Sequence, residues 1–189
     1  TFLAGEKFLL RLTDAVGNKA EKTLSVKHVP KKPKIDVIYD VSKVITGKTE
    51  PGLTVEIKIN TTKYLVKADS RGNYRLSGKG WPVGSRIVVK AKGKDGIDSP
   101  YERRTVKGTI KYLEVKNVTS SSRFVEGKTE RDSYVQVFKN GKSISKKVLV
   151  AKDGKFKLSI PRQTAKTKLV VKVERNNFKS LEKTLSIGK

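Results

Sequence analysis

The sequence of 189 residues has no cysteine, one histidine, one tryptophan, and only 18 acidic residues against 43 lysines and arginines. Without cysteine there is no disulfide, no thiolate metal site and no thiol nucleophile, so the fold must be held by the packing of its own elements. The compartment stays open on this point, because cysteine-free modules occur both outside cells and in a reducing cytoplasm. No apolar run approaches the roughly 20 residues needed to cross a bilayer, which argues against membrane insertion. Neither a signal peptide nor a lipidation motif is visible. The chain starts abruptly at Thr1 and reads as an excerpt of something longer.

The shortage of acid leaves a formal net charge of +25. It is distributed: residues 1–30 carry +2, residues 31–109 carry +10 and residues 110–189 carry +13. Such a field favours polyanionic surroundings, whether nucleic acid, anionic lipid or a phosphate-rich wall polymer, and does not bear on the fold.

What the chain does have is a sentence written twice. "TGKTEPGLTVEIKIN" at 46–60 returns as "EGKTERDSYVQVFKN" at 126–140, a shift of 80. Further on the shift is 82, with Gly72, Tyr74 and Leu76 answered by Gly154, Phe156 and Leu158. The two extra residues fall in "FKNGKSIS", where Asn140-Gly141 signals a tight hairpin. Apolar and polar residues alternate throughout and no helical period is sustained, as half-buried strands require. The expected fold is all-β: tandem Ig-like antiparallel β-sandwiches of about seven strands each. In the first copy the strands are placed near 34–41, 44–49, 54–60, 62–68, 73–77, 86–92 and 101–107. "GEKFLLRLTDAVGNKAEKTLSV" aligns with the last third of each copy, so residues 1–29 are expected to hold the final two strands of a preceding repeat, over 1–26, and the start of a linker, "KHVPKKPK" at 27–34, whose two prolines keep it extended. The repeats then occupy 30–108 and 109–189.

The segments "TGKTEPGLTVEI", "KADSRGNYRLS", "VGSRIVVKAKGKDG" and "GEKFLLRLTDAVGN" together resemble the bacterial Ig-like repeats of large secreted and cell-surface proteins. The resemblance covers essentially the whole chain. It implies tandem sandwiches in adhesins or wall-anchored stalks, extracellular or cell-wall localisation, neighbouring repeats as partners, and no reaction or cofactor. The second copy departs from the pattern where Arg131-Asp132 replaces Pro51-Gly52, a change expected to alter the turn type.

Candidate chemistry is sparse. His28 has no nucleophile turn with it, which argues against Ser-His-Asp catalysis, and solvent exposure is the simpler expectation. Glu50 with Asp69, and Glu130 with Asp153, could be paired carboxylates, yet an acid beside Gly72 or Gly154 belongs to an Asx turn. Calcium would need more oxygen ligands than one carboxylate per turn supplies, so no metal site is assigned. Trp81, in "GKGWPVG", either caps the sandwich core or stands out as a stacking platform, and large aromatics are more often buried.

Strand parity turns the basic residues Arg75, Lys90 and Lys92 outward, with Lys157 and Lys172 nearby in the second copy and Lys155 in a turn. These six are the candidate polyanion contacts. Tyr134 and Phe138 also point outward and, with Trp81, are the candidate stacking residues, whereas Tyr74 and Phe156 face the core. The expected function is therefore a non-catalytic spacer or adhesion region of a bacterial surface protein. Its partners are an anionic, teichoic-acid-like wall polymer or a host surface ligand. The alternative is an accessory region of a secreted hydrolase or protease, and nucleic-acid binding is the less favoured reading.

Overall fold

The computed structural model describes residues 5–189. The first four residues of the 1–29 segment lie outside that range. The described chain is built of strands and turns without helices. It divides into two compact units, one ending at Ile38 and resuming over Ser42–Val106, the other comprising Tyr39–Val41 with Lys107–Lys189.

The first unit opens with a hairpin of β1 (Lys7–Thr13) and β2 (Lys19–Ser25). Seven strands follow: β3 (Lys34–Ile35), β4 (Val44–Lys48), β5 (Thr54–Ile59), β6 (Thr62–Lys67), β7 (Asn73–Ser77), β8 (Arg86–Lys92) and β9 (Glu102–Thr105). They form a three-stranded sheet in the order β3-β4-β7 and a four-stranded sheet in the order β6-β5-β8-β9. Alternate residues of both sheets meet in one core, in which Ile45, Val55, Ile57, Ile87 and Val89 are fully buried. Each such side chain contributes about 1.5–3 kcal/mol relative to exposure. The fold is thus a β-sandwich. Strand β3 is shorter than the 34–41 expected: pairing with β4 runs only through the Asp36 N–H to Thr46, and beyond it a single parallel bridge joins Tyr39 to Lys107, with the Asp40 N–H donating to the Lys107 carbonyl at 2.8 Å.

The second unit repeats this plan. Its strands are β10 (Gly108–Thr109), β11 (Leu113–Val115), β12 (Phe124–Thr129), β13 (Tyr134–Lys139), β14 (Lys142–Ser143), β15 (Val148–Leu149), β16 (Lys155–Ser159), β17 (Lys168–Glu174), β18 (Phe178–Lys179) and β19 (Leu181–Ser186). Sheet β11-β12-β16 answers β3-β4-β7, and β14-β13-β17-β19 answers the four-stranded sheet, with β15 also pairing β13. The extra residues lie after the Asn140-Gly141 turn, not within it. They loop out between β14 and β15, and the Ser145 hydroxyl accepts the Val137 N–H at 2.9 Å where a ladder partner would have stood.

One expectation is overturned. Asp132 adopts φ 60° and Gly52 φ 71°, so the Arg131-Asp132 turn keeps the left-handed third position of its counterpart. Aspartate tolerates that region better than most residues, which lets it replace glycine there.

The hairpin matches β17–β19 pair for pair. Phe8↔Leu24, Leu10↔Lys22 and Arg11↔Glu21 correspond to Leu169↔Leu185, Val171↔Lys183 and Lys172↔Glu182, all shifted by 161. Its face is bare, however: Val171 and Val173 are 0% exposed, while Leu10 and Leu12 are 46% and 61% exposed. Among the described residues no other strand pairs with it.

Candidate functional site

The residues of the repeated GKTE have separate structural duties. Gly47 and Gly127 sit where a side chain has no room: a Cβ at Gly47 would lie 2.1 Å from the Lys34 carbonyl oxygen and 2.3 Å from the Tyr74 hydroxyl. At Gly127 it would lie 2.0 Å from the Glu114 oxygen and 2.6 Å from the Phe156 ring. Glu50 accepts the backbone N–H of Lys31 at 2.8 Å, and Glu130 accepts that of Lys111 at 2.9 Å. The Lys31 N–H, and after it the His28 ring, hold the Glu50 carboxyl below its usual range.

His28 is exposed, as expected, and yet has partners. Its ring meets Glu50 Oε2 at 2.7 Å, and its backbone N–H donates to Asp95 at 2.9 Å. With Pro30 and Pro33 buried and Lys32 paired to Glu102, the linker is strapped to the first sandwich.

The turn acids are similarly committed. Asp69 accepts the N–H groups of Arg71 and Asn73, both at 2.8 Å, and the Asn73 side-chain amide at 3.0 Å. Asp14 does the same with Val16 and Asn18. Hydrogen bonds from Asn73 and Asn18 lower these two carboxyls. Asp153 takes the Lys155 N–H at 3.0 Å and the Lys155 ammonium at 2.7 Å. Among the described residues no group of three or more His, Asp or Glu is arranged to hold a metal ion.

Of the stacking candidates, Trp81 is half-buried and packs against the core of the first sandwich. Phe138 is half-buried on β13, with β14 and β17 on either side. Tyr134 is 44% exposed, with the Lys147 ammonium 5.3 Å from its ring centre. It borders a shallow cavity of about 470 Å³ that also takes in Glu174, Arg175 and Phe178.

The six cations separate into two classes. All point outward, but Arg75, Lys155 and Lys157 stand on the three-stranded sheets, Lys155 opening β16 opposite Lys128 and not lying in the turn as expected, whereas Lys90, Lys92 and Lys172 stand on the four-stranded ones. They therefore occupy opposite outer faces of each sandwich, and no single patch joins Arg75 to Lys90 and Lys92. Lys90 and Lys92 meet Asp98 at 2.9 and 2.8 Å, and Lys90 also reaches Glu56 at 3.7 Å. These ammonium groups hold Asp98 at about 2. Lys172 meets Glu174 at 2.8 Å, and Lys147 and Lys172 hold that carboxyl at about 2. Lys157 meets Glu126 at 2.9 Å and its ammonium lies 4.2 Å from the Phe124 ring centre. Arg75 differs: among the described residues it closes no ion pair.

Around Arg75 is a groove of about 650 Å³ bordered by Lys34, Lys48 and Lys67 and by the carboxylates of Asp36 and Asp69; among the described residues none of the three lysines closes an ion pair. The register-matched groove of the second sandwich, about 710 Å³, has the same balance of four cations and two carboxylates, from Lys116, Lys128, Lys155 and Lys157 with Glu114 and Glu126. Sequence reasoning missed Lys34, Lys48 and Lys67. Lys34 closed the linker, Lys48 was absorbed in the repeated motif, and only cross-strand register brings them beside Arg75.

No family model matches the chain, and no curated protein does. Among solved structures it is similar to a BSP domain of a biofilm-associated protein, at 15% identity and TM-score 0.39, covering 84% of this chain and 29% of that one. It is similar to a 1.5-MDa bacterial ice-binding adhesin concerned with host cell surface retention, at 15% identity and TM-score 0.34, covering 94% and 71%. A third is the CD2-binding domain of CD58, at 7% identity and TM-score 0.44, covering 86% and 99%. Similarities at this level say nothing about function.

Proposed function

We propose that the chain is a non-catalytic spacer and adhesion region of a bacterial cell-surface protein, working outside the cell. Its basic surface is attracted to an anionic wall polymer of the teichoic-acid kind. The observation that supports this most is the face around Arg75, where exposed Lys34, Lys48, Lys67 and Arg75 outnumber Asp36 and Asp69 along one groove and close no ion pair among the described residues. A rigid sandwich offering such a face costs little ordering entropy when a flexible polyanion settles on it, and counterion release supplies the driving force. Two sandwiches of one plan in tandem suit a spacer, since each repeat's stability is local and copies add length without new chemistry.

The test is co-sedimentation of the purified chain with purified bacterial walls over a salt series, before and after chemical removal of the anionic polymer. Binding should fall steeply between about 50 and 200 mM salt, because the screening length shrinks towards about 8 Å and the released counterions are already abundant. Binding that ignores both salt and polymer removal would overturn the reading.

A further inference from the structure

One strand pair recurs along the chain as β1–β2, β8–β9 and β17–β19. Its closing strand reads "EKTLSV" at 21–26 and "EKTLSI" at 182–187. Its base is fastened alike each time: the Gly5 N–H donates to the Val26 carbonyl at 2.9 Å, that of Gly84 to Val106 at 2.9 Å and that of Lys166 to Ile187 at 2.8 Å. All three donors are left-handed, with φ 91°, 86° and 67°. The return bonds correspond as well, from Val26 to Glu6 at 2.8 Å, Val106 to Ser85 at 3.0 Å and Ile187 to Thr167 at 2.9 Å. Even the exit has one length. Lys31 lies five residues after Val26 and Lys111 five after Val106, and a glutamate of the sandwich that follows takes each N–H.

Two of these three pairs are covered, and by the same parts. An antiparallel strand, β5 or β13, runs along the outer edge of the first strand. A three-stranded sheet, β3-β4-β7 or β11-β12-β16, lies over the inner face. Ile87, Val89, Val171 and Val173 are fully buried in consequence. Both times the covering strands precede the pair in the chain. The β1–β2 hairpin presents Leu10, Leu12 and Leu24 at the same inner positions, but all three are exposed, and among the described residues no further strand joins β1. A contiguous apolar face of this kind marks an interaction surface.

A second copy of this chain has no matching half to offer, since each of its sandwiches is already closed by its own strand pair, and two chains of +25 repel. We propose that Leu10, Leu12 and Leu24, with the outer edge of β1, form a docking surface for an incomplete Ig-like sandwich. That occupant is a set of five strands equivalent to β3–β7, carried N-terminal to Gly5 in the same polypeptide. A strand like β13 pairs with β1 through Leu9–Thr13, the positions answering Val170–Glu174, and a sheet like β11-β12-β16 covers the leucines. The fit is selective. Leu10 and Leu12 are each one methylene larger than Val171 and Val173, so the cover must be smaller opposite them, and the chain's own three-stranded sheets are not interchangeable with it. This extends the spacer reading by one sandwich and does not depend on the polymer.

The experiment lengthens the chain at its N-terminus by what precedes it in its own reading frame, over a segment as long as 107–165, and follows amide exchange. Amides of β1 that point away from β2 should exchange at least about a hundredfold more slowly in the longer chain, and a further cooperative melting transition should appear. Leu10→Asp in the longer chain should return those amides to their rate in the shorter one, because an unpaired charge would be buried. Leu9→Asp, on the outer face of the same strand, should keep most of the slowing. Unchanged exchange in the longer chain would overturn the proposal, as would a reading frame that encodes no alternating strands there. Equal losses from Leu9→Asp and Leu10→Asp would overturn the leucine face as the docking surface. Slowing in the shorter chain that grows with its concentration would assign the face to a second copy and overturn the occupant. None of these outcomes alters the salt dependence of wall binding, so the two readings fail separately.

Discussion

Glu130 receives the backbone N–H of Lys111 at 2.9 Å across 19 residues of sequence, as Glu50 receives that of Lys31 at 2.8 Å across the same interval. The last letter of the repeated motif thus fastens the segment entering each sandwich to that sandwich. A hydrogen bond to a charged acceptor contributes about 1.5–3 kcal/mol, less where water competes. Glu130→Ala should therefore lower the stability of the second sandwich by about 1 kcal/mol, with Glu130→Gln intermediate because it keeps an acceptor oxygen. Thermal melting measures the loss, and amide exchange at Lys111 should accelerate. An unchanged Lys111 amide would show that the bond is not made in solution.

Gly127 should be the least replaceable residue of that motif. Its added Cβ would fall 2.0 Å from a backbone oxygen and 2.6 Å from a core ring, so the sheet itself must move. Gly127→Ala is expected to cost about 3 kcal/mol, at the upper end of overpacking penalties. Gly141→Ala makes a useful contrast: nothing lies within 4 Å of its Cβ, and only its φ of 76° is unfavourable, so about 1 kcal/mol is expected. Urea denaturation of both variants tests the order, and a cost at Gly141 equal to that at Gly127 would contradict it.

Much of this fold was legible in the sequence because a half-buried strand writes its two faces directly as alternation. Six of the seven strands of the first sandwich, from β4 to β9, lie where that alternation places them. Alternation does not say which of two outsides a residue faces. Arg75 and Lys90 both read as outward, yet they project from opposite sheets, and only strand pairing reveals this. It is equally silent on partners: Lys90 stands opposite Glu56 across β5 and β8, and that register decides that its charge is already answered. The left-handed Asp132 was misread for another reason, since aspartate can enter that region whereas the rule for the turn names glycine or asparagine.

The two ion-pair networks predict the acid limb of stability. Lys92 and Lys90 hold Asp98 at about 2, below its ordinary 3.8, and Lys147 and Lys172 hold Glu174 at about 2, below 4.5. A carboxyl lowered by folding contributes stability in full above its unfolded value and loses it as pH falls towards the folded one. The melting temperature should therefore be level from neutral pH to about 5, then decline between about 4.5 and 2. Asp98→Asn should remove part of that decline in the first sandwich, at a neutral-pH cost of about 1 kcal/mol or less given solvent screening. An Asp98→Asn chain whose melting curve against pH keeps the parent's full slope would show that this network is not responsible.

The hairpin of β1 and β2 yields the last prediction. Among the described residues its strands pair only with each other, and Leu10, Leu12 and Leu24 are 46%, 61% and 44% exposed, so it draws little from the sandwich that follows. Two strands with one bare face are marginal by themselves, and the hairpin should open far more often than the sheets beyond it. The strap that stabilises the first sandwich begins later, at His28 and Lys31. Deleting residues 1–26 should consequently shift the melting of both sandwiches by less than about 3 °C, and amides of 7–25 should exchange well ahead of those in β5 and β8. Placing a charge on the bare face, as in Leu10→Asp, should be equally silent in melting. A fall of ten degrees or more on deletion would mean that this face rests on the first sandwich, whose core would then extend beyond its seven strands.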